Sequence, residues 1–110
     1  MINTNFSIYS NDNRYKAPSF KGTAEKLAQK LLKATNPELR KFPVTFDEAV
    51  ALYEKMGFEI TKKGGSHAVV TLSGTDLSFP LLIPHHGEKK INPIDVKKLK
   101  DMVVVYYKND

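Results

Sequence analysis

Leu27, Ala28, Leu31 and Leu32 recur at helical spacing, while Lys26, Lys30 and Lys33 fall elsewhere on the same wheel. The pattern predicts an amphipathic helix over residues 23–33. It should stop before Asn36-Pro37, because the residue ahead of a proline avoids the α region. A second helix is announced by Thr45-Phe46-Asp47-Glu48, which fits a capping box: the threonine oxygen accepts from an orphan N–H and the glutamate reaches back to the cap. Asp47 and Glu48 also suit the positive end of the helix dipole. Phe46, Ala49, Val50 and Tyr53 then mark a buried stripe, and Gly57 offers the left-handed residue that commonly closes a helix.

Beyond Gly57 the period changes from helical to alternating. Phe58 and Ile60 share one face of a first strand running to Lys62. Over residues 67–73, Ala68, Val70 and Leu72 share one face, and His67, Val69 and Thr71 the other. Ser73-Gly74-Thr75-Asp76 turns the chain into a third segment, residues 77–83, where Pro80 suits an edge strand or a break rather than a central strand. Asn92 and Pro93 open a last helix as cap and first residue. Val96, Leu99 and Val103 should face inward, with Lys97, Lys98 and Lys100 outward. The tail at residues 103–107 fits either a helix end or an added strand.

Residues 45–103 therefore read as α-β-β-β-α, an α+β fold: a three-stranded antiparallel sheet with helices on one face and the other face open. If Ala68, Val70 and Leu72 lie under the helices, His67 belongs to the open face, because a period of two sends one set in and the other out. The first twenty residues are rich in Asn and Ser without a sustained period. They read as an irregular arm, with Phe6, Ile8 and Tyr9 available to dock on the core. The division is then residues 1–42 as an N-terminal extension carrying one amphipathic helix, and residues 43–110 as the main domain. The extension's helix either packs its leucines on that domain or docks a partner chain.

Composition narrows the chemistry. The 110 residues suit one domain, and without cysteine neither a disulfide framework nor a thiolate metal site can form. No apolar run approaches the ~18 residues of a membrane span, and the N-terminus lacks a signal-peptide pattern, so a cytoplasmic protein is expected. The net charge is +5, and residues 55–100 hold eight basic against four acidic side chains. Polyanions are plausible partners on that count, although a charge run is more often a solvated surface.

One stretch raises a sharper question: Lys62-Lys63-Gly64-Gly65-Ser66-His67 leads straight into the second strand. A tight hairpin would call for the two glycines on conformational grounds alone. The same glycines would also let backbone N–H groups approach an anion, with Lys62 and Lys63 beside it. His85 and His86 suggest a metal site, but adjacent residues in an extended segment point in opposite directions and rarely share an ion. No metal or other cofactor is expected.

The helix ending in Tyr53-Glu54-Lys55-Met56-Gly57, the Gly65-Ser66-His67 loop entering a strand, and Pro84-His85-His86 ahead of a basic helix together resemble the HicA family of toxin mRNA interferases. That resemblance implies a fold like the double-stranded-RNA-binding domain (dsRBD-like) and makes residues 43–110 a HicA-like RNA-binding or nuclease domain. It implies metal-independent cleavage of mRNA, with His67 as general acid or base. It also implies RNA contacts from Lys62, Lys63, Gly64, Gly65, Ser66, His86, Lys89 and Lys90, and a cognate HicB-type antitoxin as partner. The chain departs from the family pattern in three places. Lys89-Lys90 stands where an acidic residue usually follows a lysine, Ile94-Asp95-Val96 replaces Gly-Thr-Leu at the last helix, and some forty residues precede the family core. Two other functions fit the same fold: RNA binding by shape without turnover, and a degenerate member that only engages another protein.

Overall fold

The computed structural model describes residues 21–84 and 89–107, with side chains from Ala24 onward, and its first described element is a thirteen-residue helix. This helix, α1 (Lys21–Lys33), is followed by α2 (Asn36–Leu39), α3 (Phe46–Lys55), β1 (Phe58–Gly64), β2 (His67–Leu72), β3 (Ser78–Leu82) and α4 (Pro93–Tyr106). Phe6, Ile8 and Tyr9, and with them the expected arm, lie outside the described residues, as do His85 and His86. No helix among the described residues is long and apolar enough to cross a membrane.

The buried stripe of α1 is Ala24, Leu27, Ala28 and Leu31, at i, i+3, i+4 and i+7. Leu32, expected within that stripe, sits at its margin and is 45% exposed. The leucines pack on this chain's own α3 and α4. Two polar contacts reinforce the docking: Lys55 Nζ lies 3.5 Å from Glu25 Oε2, and Lys100 Nζ donates to Ala34 O at 2.6 Å. The second supplies a donor to a carbonyl just beyond the end of α1, where helical partners have run out.

α1 does stop ahead of Asn36-Pro37, yet one more helical turn, α2, begins there. Thr35 and Glu38 form a capping box, with Thr35 N–H donating to Glu38 Oε1 at 2.7 Å, and Pro37 occupies the first turn, where its missing N–H does no harm. The expected box at α3 is present as well: Thr45 N–H to Glu48 Oε1 is 2.9 Å and Glu48 N–H to Thr45 Oγ1 is 3.1 Å.

The strands form one antiparallel sheet in the order β1-β2-β3. Phe58, Ile60, Ala68, Val70, Phe79 and Leu81 line its helix-covered face and are buried. An aromatic cluster anchors that face. Phe58 meets Tyr53 at 5.4 Å, Phe79 at 5.9 Å and Tyr106 at 5.4 Å between ring centroids. Burial, with Asp95 and Asp101 nearby, pushes the Tyr53 phenol well above its ordinary range, so it stays neutral.

Pro80 sits on the edge strand, as its chemistry requires. Ile83 N–H points inward to Ser66 O at 2.8 Å, while Leu82 N–H points away from β2 to Asp95 Oδ2 at 3.0 Å. Amide directions alternate along a strand, so the donor that Pro80 lacks would have faced the outer edge, and no ladder bond is lost.

α4 runs to Tyr106, which settles the tail as helix; Val103 is buried in the core, while Val104 and Val105 are exposed. Of its three lysines expected in solvent, only Lys97 is exposed, pairing with Asp101 at 3.0 Å. Lys98 lies over the Phe79 ring at 4.8 Å, and Lys100 reaches Ala34. Both lay their alkyl stems along the domain and use the charged head locally.

Candidate functional site

The β1–β2 hairpin closes through Gly65 and Ser66, with Gly64 paired to His67. Gly64 has φ +111° and Gly65 φ +57°, and a Cβ built on either would meet nothing within 4 Å. Backbone conformation, not crowding, therefore calls for glycine, in line with the hairpin reading. The same open space leaves the loop's main chain uncovered. Lys62 pairs with Ala68, and the register shifts between Lys62 and Gly64, so Lys63 is the extra residue.

His67 is exposed and begins β2 on the helix-free face, the side expected from the alternation. Its cross-strand neighbours are Gly64 on β1 and Leu82 on β3. Lys62 shares the register position of Ala68, which belongs to the helix-covered face, so Lys62 and His67 lie on opposite sides of the sheet. Lys63, one residue on, is exposed at the bulge.

Two distant loops meet beside this hairpin. Phe46 N–H donates to Lys89 O at 2.9 Å, Ile91 N–H donates to Val44 O at 2.8 Å, and Thr45 and Lys90 form an isolated antiparallel bridge. This clamp sets Lys89 and Lys90, both exposed, against the chain that leads into α3. Between the clamp and the β2–β3 end lies a groove of about 530 Å³, lined among others by Arg40, Lys41, Ser66, Leu82 and Lys90. It starts one residue from His67 and includes that residue's partner on β3.

Asp95 braces the groove from behind. It is 9% exposed, and its Oδ2 accepts from Leu82 N–H at 3.0 Å and Asn92 Nδ2 at 3.1 Å. Desolvation raises its pKa above the usual carboxylate range, and the two hydrogen bonds pull the other way. Asn92 Oδ1 in turn accepts from Asp95 N–H at 2.8 Å, capping α4.

The structure thus brings His67, Ser66 and Lys90 to one region, with Lys89 beside Lys90 and Lys63 at the hairpin; Lys62 is set on the other face. His86 lies outside the described residues. Arg40 and Lys41 were not anticipated. In the sequence they are one more basic pair, and nothing in their spacing connects them to Lys90, about fifty positions away.

Residues 46–101 match the family described as the HicA toxin of bacterial toxin–antitoxin systems. The chain belongs to the HicA toxin family. No curated protein and no solved structure gives a significant match. As a HicA toxin the protein is the toxin component of a toxin–antitoxin pair. The matched segment runs from the start of α3 into α4 and contains His67, Lys89 and Lys90. Arg40 and Lys41 lie ahead of it.

Proposed function

We propose that this HicA toxin is an endoribonuclease that cleaves mRNA in the cytoplasm without a metal, using His67 as general acid or base. Cleavage of this kind needs little equipment. A base removes the ribose 2′-hydroxyl proton, and the oxygen attacks the adjacent phosphorus. The P–O5′ bond breaks, and the leaving 5′-oxygen takes up a proton, giving a 2′,3′-cyclic phosphate and a 5′-hydroxyl. Imidazole, with an unperturbed pKa of about 6.5, can give or take that proton at neutral pH. Lys63, Lys89 and Lys90 would stabilise the charge growing on the phosphoryl oxygens, with Lys62 adding to the positive field from the other face. The uncovered main chain of Gly64 and Gly65, with Ser66 beside it, would approach a phosphate directly. By resemblance, His86 contacts RNA, and a HicB-type antitoxin holds the toxin in check by covering the helix-free sheet face.

The observation that carries this reading is the exposed position of His67 on the helix-free face, beside a groove with basic walls. Labelled single-stranded RNA incubated with the protein in chelator should be cut. Positioned acid–base groups contribute roughly 10²–10⁴ in rate, so His67→Ala should lose about that much while keeping its circular dichroism spectrum. A substrate with 2′-deoxyribose at the scissile position should survive. Intact RNA that is nonetheless bound tightly and salt-sensitively by both proteins would replace the nuclease with a binding module. Cleavage unchanged in His67→Ala would remove His67 from the mechanism.

A further inference from the structure

We propose that Arg40 and Lys41, together with Lys90, form a phosphate track that seats a single RNA strand in the groove leading to His67. Two of the track's three cations then come from outside the family-matched segment. The proposal rests on the nuclease reading for its biological use, but the groove stands on its own geometry.

Charge selects the kind of occupant. Arg40, Lys41 and Lys90 are all exposed, and among the described residues no ion pair engages them and no acidic side chain lines the groove. The clamp between residues 44–46 and 89–91 brings Lys90 into the same groove as the Arg40-Lys41 corner, so the three cations line one cavity. A guanidinium and two ammonium groups spread along one groove suit successive phosphates better than a single carboxylate.

The lining between the cations favours a single strand over a duplex. Phe42, Leu82, Ile83 and Ile91 contribute apolar surface, and Phe42 is half-buried with part of its ring available. Unpaired bases can lay their faces on such surface, whereas paired bases are occupied in their own stack. A strand lying here passes Ser66 and Leu82, which flank His67 along the chain and across the ladder. Backbone contacts at the track would therefore fix which ribose reaches the imidazole, a positioning role rather than a chemical one.

Binding is best tested without cleavage, using the full chain and a fluorescein-labelled, single-stranded 2′-O-methyl RNA of about twelve nucleotides, which cannot undergo 2′-hydroxyl attack. Each phosphate contact contributes roughly 0.7 to the slope of log affinity against log salt for single strands. Arg40→Ala/Lys41→Ala should lower the slope magnitude by about 1.4. Between 50 and 200 mM salt the parent should then lose about sevenfold more affinity than the double variant. A Lys26→Ala/Lys30→Ala pair, exposed on α1 and not lining the groove, controls for net charge and should leave the slope nearly unchanged. With a cleavable RNA, the Arg40/Lys41 variant should raise KM more than it lowers kcat.

An unaltered slope in the Arg40/Lys41 variant overturns the track, as does an equal drop in the Lys26/Lys30 control. So does weakened capture of an acidic partner protein with RNA binding untouched, which would assign the groove to that partner. The two readings fail separately. Cleavage that needs His67 but ignores Arg40 and Lys41 sinks only the track. Salt-dependent binding through Arg40 and Lys41 without any cleavage sinks only the nuclease.

Discussion

Replacing Asp95 separates the value of its hydrogen bonds from the penalty of its charge. Asp95→Ala removes the oxygen that accepts from Leu82 N–H and Asn92 Nδ2. Leaving a buried donor unpaired costs roughly 1–3 kcal/mol, and release from burying a carboxylate offsets part of that. A loss of about 2 kcal/mol is the expected balance. Asp95→Asn keeps an amide oxygen for Leu82 N–H and cannot ionise, so at pH 7 it should lie within about 1 kcal/mol of the parent.

The pH dependence gives the sharper test. Burial sets the Asp95 pKa above the ordinary value, so the native state holds the proton more tightly than the unfolded chain does. Its favourable contribution is complete below the unfolded pKa of ~3.9 and is lost as pH rises through the higher folded value. An asparagine at this position has no such loss. Relative to the parent, Asp95→Asn should therefore gain stability as pH rises from about 3.5 into the neutral range. Urea unfolding followed by far-ultraviolet circular dichroism across that range measures it. If Asp95→Asn proves as damaging as Asp95→Ala at pH 7, or if its relative stability falls with rising pH, the account of Asp95 as a hydrogen-bonded but desolvated carboxylate is wrong.

Phe58→Ala should cost about 3–5 kcal/mol in urea unfolding, because a residue only 2% exposed leaves three ring partners facing a cavity; a loss under about 1 kcal/mol would mean the cluster can collapse around the gap. Gly64→Ala, at φ +111°, should destabilise by about 1–3 kcal/mol. Gly65→Asn, at φ +57°, should be nearly neutral, since asparagine tolerates that region; thermal melts giving the reverse order would show that the turn has rearranged.

Most of the fold was legible because local chemistry and long-range packing agree. The Thr45–Glu48 box, the alternation around His67 and the edge position of Pro80 each depend on one strand or one helix start. The exceptions arise where packing overrules a local rule. Three successive valines favour a strand, yet Val103 fits the core at helical spacing and α4 carries Val104 and Val105 into solvent. α1 ends at Lys33, ahead of Asn36-Pro37 as expected, but the expected steric reason fails: Asn36 is itself helical and Pro37 is at home in the first turn of α2, a distinction that depends on reading Thr35 and Glu38 as a box. The groove was illegible for another reason. Its walls are joined by a short bridge between residues 44–46 and 89–91, too brief to leave a periodic trace in either segment.

That division between core and site makes variants of the site unusually easy to interpret. Arg40, Lys41, His67 and Lys90 are all exposed, and among the described residues no hydrogen bond between side chains ties them to the core. The order of the hairpin comes from its other face, where Ala68 and Val70 are buried against the helices. Removing the imidazole or a groove cation should therefore change proton transfer or phosphate affinity while leaving the scaffold as it is. Asp95 is the opposite case. It supports Leu82 from behind, so its loss would disturb stability and groove shape together, and a fall in activity there could not be assigned to either alone. Stability measured alongside activity distinguishes the two classes: variants of the exposed set should move along the activity axis only, and Asp95→Ala along both.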